Sequence, residues 1–207
     1  MVKIGKICML EENADIARQF QHCCQNYELF ITDNLFKFIR YAQVILPDLL
    51  MIDVGKNCEL CRDVISLVTE DEILGEIPLL MLAVARRSQQ ENFIGIANYL
   101  TSEKPYAQTL EILETYCSGQ KDYDVLLLGR YDDNTASALE VLHHQSLSCF
   151  EVHSLKGAQA FLRKNLSRCV CLYLPYDDCQ KIAPHINHQK IFYVENPHHL
   201  KNLATLI

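Results

Sequence analysis

Short, nearly unbroken apolar runs alternate along this chain with segments whose apolar residues recur at helical spacing. That alternation limits the fold more than any other feature. KICML, YELFIT, PDLLMID, IPLLMLAV and NYLTS read as strands. EENADIARQFQHCC, NLFKFIRYAQVI, ELCRDVISLVTE, QQENFIGIA and AQTLEILETYC read as the helices that follow them, with Asn34 placed to cap the second. Strands that are apolar at almost every position suit burial on both faces. Their strict alternation with helices predicts a doubly wound α/β domain built on a five-stranded parallel sheet.

After a polar, turn-rich stretch, SGQKDYD at 118–124, the rhythm restarts. YDVLLLG, CFEVHS, RCVCLYL and KIFYVE read as strands; NTASALEVLHHQ, KGAQAFLRKNL, CQKIAPHI and a closing HHLKNLATLI read as helices. The second half thus resembles a shorter copy of the first with no clear fifth strand. The expected division is 1–121 and 122–207.

Composition narrows the function. A net charge of −7 with no basic run argues against a nucleic-acid surface, and no apolar stretch approaches the length of a membrane span. MVKIGKICML lacks the apolar core and cleavage site of a secretory leader. The ten cysteines therefore read as thiols in a reducing, cytoplasmic setting, most of them small core hydrophobes as in SRCVCLYL. Cys58 and Cys61 form one C-x-x-C, but no second pair completes a zinc ribbon. Pro184 and Pro197 interrupt the segments carrying His185, His188, His198 and His199, which read as surface or capping residues. His143 and His144 fall in a helix of α/β surroundings, not in the helical bundle a phosphotransfer histidine occupies.

In a parallel open sheet the functional crevice lies beyond the carboxyl ends of the strands. Glu11 and Glu12 follow the first strand there, Asp53 ends the third, Ala83 ends the fourth, and Lys104 with Pro105 follows the fifth. Close carboxylates repel unless a cation or the lysine offsets them, and a cluster of oxygens suits Mg²⁺.

KICMLEENADIARQ, LPDLLMIDV, IPLLMLAV and NYLTSEKPY together resemble the strand ends of the CheY-like receiver domain of two-component response regulators, over about residues 3–117. The resemblance implies that Asp53 accepts a phosphoryl group from a histidine kinase or histidine phosphotransfer protein. It also implies that Glu11, Glu12 and Asp53 hold Mg²⁺ with the backbone carbonyl of Gly55, and that Lys104 pairs with the phosphoryl. Several positions depart from the pattern. Ala83 stands where the family has a hydroxyl residue, TSEKP is longer than the usual TKP, and the loop VGKNCELC lacks the family's proline and later glycine.

CFEVHSLKGAQAFL is also similar to a receiver, but the second half has no acids in register: Gly129 and Arg130 stand in place of the acidic pair, and Leu174 or Pro175 in place of the acceptor. It reads as a degenerate pseudo-receiver, in a tandem similar to the input half of PleD-type regulators. The function implied is a phosphorelay signalling protein without an output domain. It is not an enzyme; it acts by contact with a kinase, a phosphotransfer protein or a downstream regulator, and a homodimer is compatible with the sequence. The competing reading is an Mg²⁺-dependent phosphoester hydrolase using the same crevice. No glycine-rich loop after a strand is present to cradle its phosphate, and the chain has only seven glycines.

Overall fold

The computed structural model describes residues 5–53, 58–83, 98–101, 106–118, 120–130 and 132–207. Their order is β1 (Lys6–Glu11), α1 (Ala14–Cys23), β2 (Glu28–Thr32), α2 (Leu35–Ile45), β3 (Leu49–Asp53), α3 (Cys58–Glu70), β4 (Leu79–Ala83), β5 (Asn98–Thr101) and α4 (Tyr106–Cys117). Then come β6 (Asp122–Gly129), α5 (Asp133–His143), β7 (Cys149–Val152), α6 (Leu155–Lys164), β8 (Leu166–Tyr173), α7 (Tyr176–Ile182) and β9 (Ile191–Tyr193). The helix expected over 89–97 lies outside the described residues, as do Gly55 and Lys104.

Two compact units carry these elements, the first including Met1–Val84 and Tyr99–Gly119 and the second including Gln120–Ile207. There are accordingly two sheets, one of five strands and one of four. In the first the order is β2-β1-β3-β4-β5, with parallel register across β2, β1, β3 and β4 and β5 beside β4 at the edge. The second runs β7-β6-β8-β9, also parallel. In both, the strand first in sequence lies inside the sheet with the second to one side and the third to the other, so the winding reverses there.

In the first unit β3 is buried along its whole length, as is β1 from Ile7 to Glu11. Phe38 and Ala42 of α2, Val64 and Val68 of α3, and Leu113 and Tyr116 of α4 are buried with them. Local chemistry starts the helices: the side chain of Asn13 accepts from the N–H groups of Asp15 and Ile16, and that of Asn34 accepts from Lys37 N.

In the second unit Val125, Leu127, Cys169, Cys171, Ala138 and Leu142 form the core with Val194, Leu200 and Leu203. Asp132 and Ser154 cap α5 and α6. Among the described residues no disulfide forms. The buried thiols of Cys8 and Cys24 and the partly buried thiol of Cys149 are pushed up to about 12 chiefly by desolvation, as expected of thiols that stay protonated.

The end of the chain differs from the sequence expectation. Instead of a closing helix over 198–207 there are two 3-10 turns, Pro197–Leu200 and Leu203–Thr205. Asn196 caps the first, its side chain accepting from His198 N, and Asn202 interrupts before the second. The apolar residues left are too few for a regular helical stripe, and Leu200 and Leu203 reach the core one turn at a time. Gln145 fastens this segment: its Nε2 donates to Leu200 O at 2.7 Å and its Oε1 accepts from Ala204 N at 3.2 Å. Pro184 likewise ends α7 early, so the expected helix over 179–186 finishes as the 3-10 turn Ala183–His185.

Candidate functional site

Strand register places the last residue of β1 beside the last residue of β3, so that Glu11 and Asp53 are direct partners. Their exposures are 4% and 6%, which makes them the only acidic residues buried among the described part of the first unit. β1 from Ile7 and β3 from its start are apolar until that point, and the two carboxylates close the run at the end of the sheet where its winding reverses.

Glu11 is held from one side only. Its Oε1 accepts from the backbone N–H of Asn13 at 2.6 Å, while Oε2 is buried with no hydrogen-bond partner. Two ionised carboxylates offer each other no donor, so Oε2 is satisfied only when a proton or a cation lies against it. Desolvation is the main force on the group, and the Asn13 hydrogen bond works against it. The neighbouring Asp53, by its charge and by the hydrogen bond a protonated Glu11 can make to it, adds to the desolvation, and the carboxyl is pushed up to about 7.

Glu12 is exposed, one position beyond β1. Ala83 ends β4, two residues after Met81, which pairs with Ile52. Gly55 and Lys104 lie outside the described residues, so the site is seen from its β1 and β3 side. Among the described residues, no group of three or more His, Cys, Asp and Glu side chains comes together to hold a metal ion. The Glu11–Asp53 pair still fits a hard cation, because Mg²⁺ takes one or two carboxylates and fills its remaining positions with water or a phosphate oxygen. The orphaned Oε2 is the atom that favours such a guest.

The equivalent place in the second unit is closed. Gly129 and Tyr173 are the last register partners of β6 and β8, so Tyr173, and not Leu174 or Pro175, faces the end of β6. A Cβ on Gly129 would lie 2.5 Å from Thr135 Cγ2 and 2.7 Å from its Oγ1, so α5 packs into the space a side chain there would need. Arg130 instead reaches Asp178, at 3.5 Å. Two of the histidines hold loops: the ring of His188 lies 3.0 Å from both Lys190 O and Ser167 O, and His199 Nε2 lies 2.9 Å from Asn196 Nδ2. Sequence reasoning missed the close packing at Gly129, whose only signal is a glycine at the end of an otherwise apolar strand.

No protein-family model matches the sequence, and no curated protein does. Among solved structures the chain is similar to NtrX from Brucella abortus in complex with ATP, at 9% identity and a TM-score of 0.44. The likeness covers 99% of this chain and 65% of the NtrX chain.

Proposed function

We propose that this chain is a divergent response regulator of the CheY-like receiver type, a two-component signalling protein that acts through protein–protein contacts. One observation carries the reading: Glu11 and Asp53 are buried side by side at the ends of β1 and β3, where the winding of the sheet reverses. Isolated from each other, a turn acid and a capping acid would both face water. Buried together they need a counter-charge.

Asp53 is the phosphoacceptor. Its carboxylate attacks the phosphorus of a phosphohistidine or an acyl phosphate, the bond to the donor breaks, and the donor leaves with the electron pair. Bound Mg²⁺ would neutralise the pair and the incoming phosphoryl oxygens; Glu11 and Asp53, with the carbonyl of Gly55, are the groups that would hold it. Lys104 pairs with the phosphoryl group. The second unit serves as a pseudo-receiver, with Gly129 and Tyr173 where the first has its acids, and the partners are a histidine kinase or phosphotransfer protein and a downstream regulator. Because Ala83 brings no hydroxyl, the phosphoryl group lacks a hydrogen bond worth about 1.5–3 kcal/mol to a charged group, and phosphorylation shifts the first unit only weakly.

Incubation with Mg²⁺ and a small acyl phosphate, followed by intact mass and peptide mapping, tests the reading. One added phosphoryl group on Asp53, lost in Asp53→Asn and in chelator, is expected. An unchanged mass, or a phosphoryl group on another residue, would overturn it.

A further inference from the structure

Helix α2 buries Phe38 and Ala42 and turns Phe36, Arg40 and Val44 the opposite way, at i, i+4 and i+8. Phe36 is 85% exposed and Val44 75%, an apolar stripe about 12 Å long by helix rise with a guanidinium between its ends. Tyr41 and Leu46 extend the apolar surface, and Lys37 adds a second cation. No carboxylate occurs anywhere on α2, although the chain as a whole carries −7. Asp33 stands outside the helix, before its Asn34 cap. Asp71, which touches α2 at Gln43, has its oxygens taken: it accepts from Gln43 Nε2 at 2.8 Å and from the N–H groups of Ile73 and Leu74.

We infer that this face of α2 is a docking surface for an acidic amphipathic helix of a partner protein, whose apolar seam covers Phe36 and Val44 and whose carboxylates flank Lys37 and Arg40. A bilayer suits the surface less well. The wider apolar face of α2 is already used by the core, and the narrow stripe that remains fits a helix seam, not insertion into lipid. Two cations on a chain of net −7 give weak attraction to an anionic membrane. A second copy meeting α2 to α2 would set Arg40 against its own kind. The surface is independent of the Glu11–Asp53 site and stands whether or not Asp53 is phosphorylated.

The test uses the full chain and two synthetic helical peptides with leucines along one face, flanked by glutamates in one and by lysines in the other, together with vesicles containing phosphatidylserine. The glutamate peptide should bind, with amide shifts on α2, and the lysine peptide should not. Phe36→Ser and Arg40→Glu, both at exposed positions with unchanged melting curves, should each weaken binding about tenfold. Arg40→Glu should also gain affinity for the lysine peptide. Equal binding of the two peptides, no binding of the glutamate peptide, or preference for the vesicles would overturn the proposal.

Discussion

Glu11 sits in surroundings that suit its charge poorly, buried and with one carboxylate oxygen unpartnered. In the folded chain its carboxyl titrates at about 7 against an ordinary 4.5, so between those values the native state holds a proton that the unfolded chain has released. Stability therefore falls as pH rises through that window, and stays level above it. Glu11→Gln should flatten the slope and, above pH 7 in chelator, raise stability by roughly 1–3 kcal/mol by removing a buried unsatisfied charge. Urea unfolding across pH checks this; a slope the substitution leaves unchanged would assign the titration elsewhere. Gly129 is the counterpart in the second unit, where Gly129→Ala forces a Cβ into Thr135 and should cost about 1–3 kcal/mol by overpacking. An equally stable variant would mean that α5 yields easily. The sequence carried the acids themselves, because an acid ending an apolar strand is visible in one dimension. Their convergence at one end of the sheet was expected too; the register that makes Glu11, and not Glu12, the direct neighbour of Asp53 was not visible, because it is settled by the turns and helices between the strands.

At the scale of elements, the strands were legible because burial on both faces leaves a continuous apolar run, as in LLMID of β3 and VCLY of β8. Boundaries and caps were less so. Leu166, read as the end of a helix, opens β8 instead, because Asn165 is already extended and its N–H closes α6 on Phe161 O. The end of α5 shows the same dependence on backbone chemistry. Ser146 takes a positive φ of 58°, its N–H bonds to His143 O, and Leu147 N bonds to Leu142 O, the paired bonds of a helix end that glycine usually makes. Ser146→Gly should therefore stabilise the second unit by about 1 kcal/mol, read from its unfolding midpoint. A loss of stability would show that the serine carries no strain at this positive φ.

At the scale of the whole molecule, two parallel sheets share one winding, but among the described residues only the first keeps a pair of buried acids. The repeat was legible from the restart of the strand and helix rhythm after the polar stretch at 118–124. The closure of the second site was not, because it rests on the approach of Thr135 to a bare Cα. Among the described residues no helix is long and apolar enough to cross a membrane. The central claim is that Glu11 and Asp53 form a cation site in the first unit with no equivalent in the second. Scanning calorimetry of the full chain with increasing Mg²⁺ tests it most directly, with transitions assigned by the effects of Asp53→Asn and Gly129→Ala. The account predicts that Mg²⁺ raises the transition of the first unit alone, by about 2.7 kcal/mol at a hundredfold excess over the dissociation constant, and that Asp53→Asn abolishes the shift. No shift with Mg²⁺, or one that survives Asp53→Asn, would contradict it.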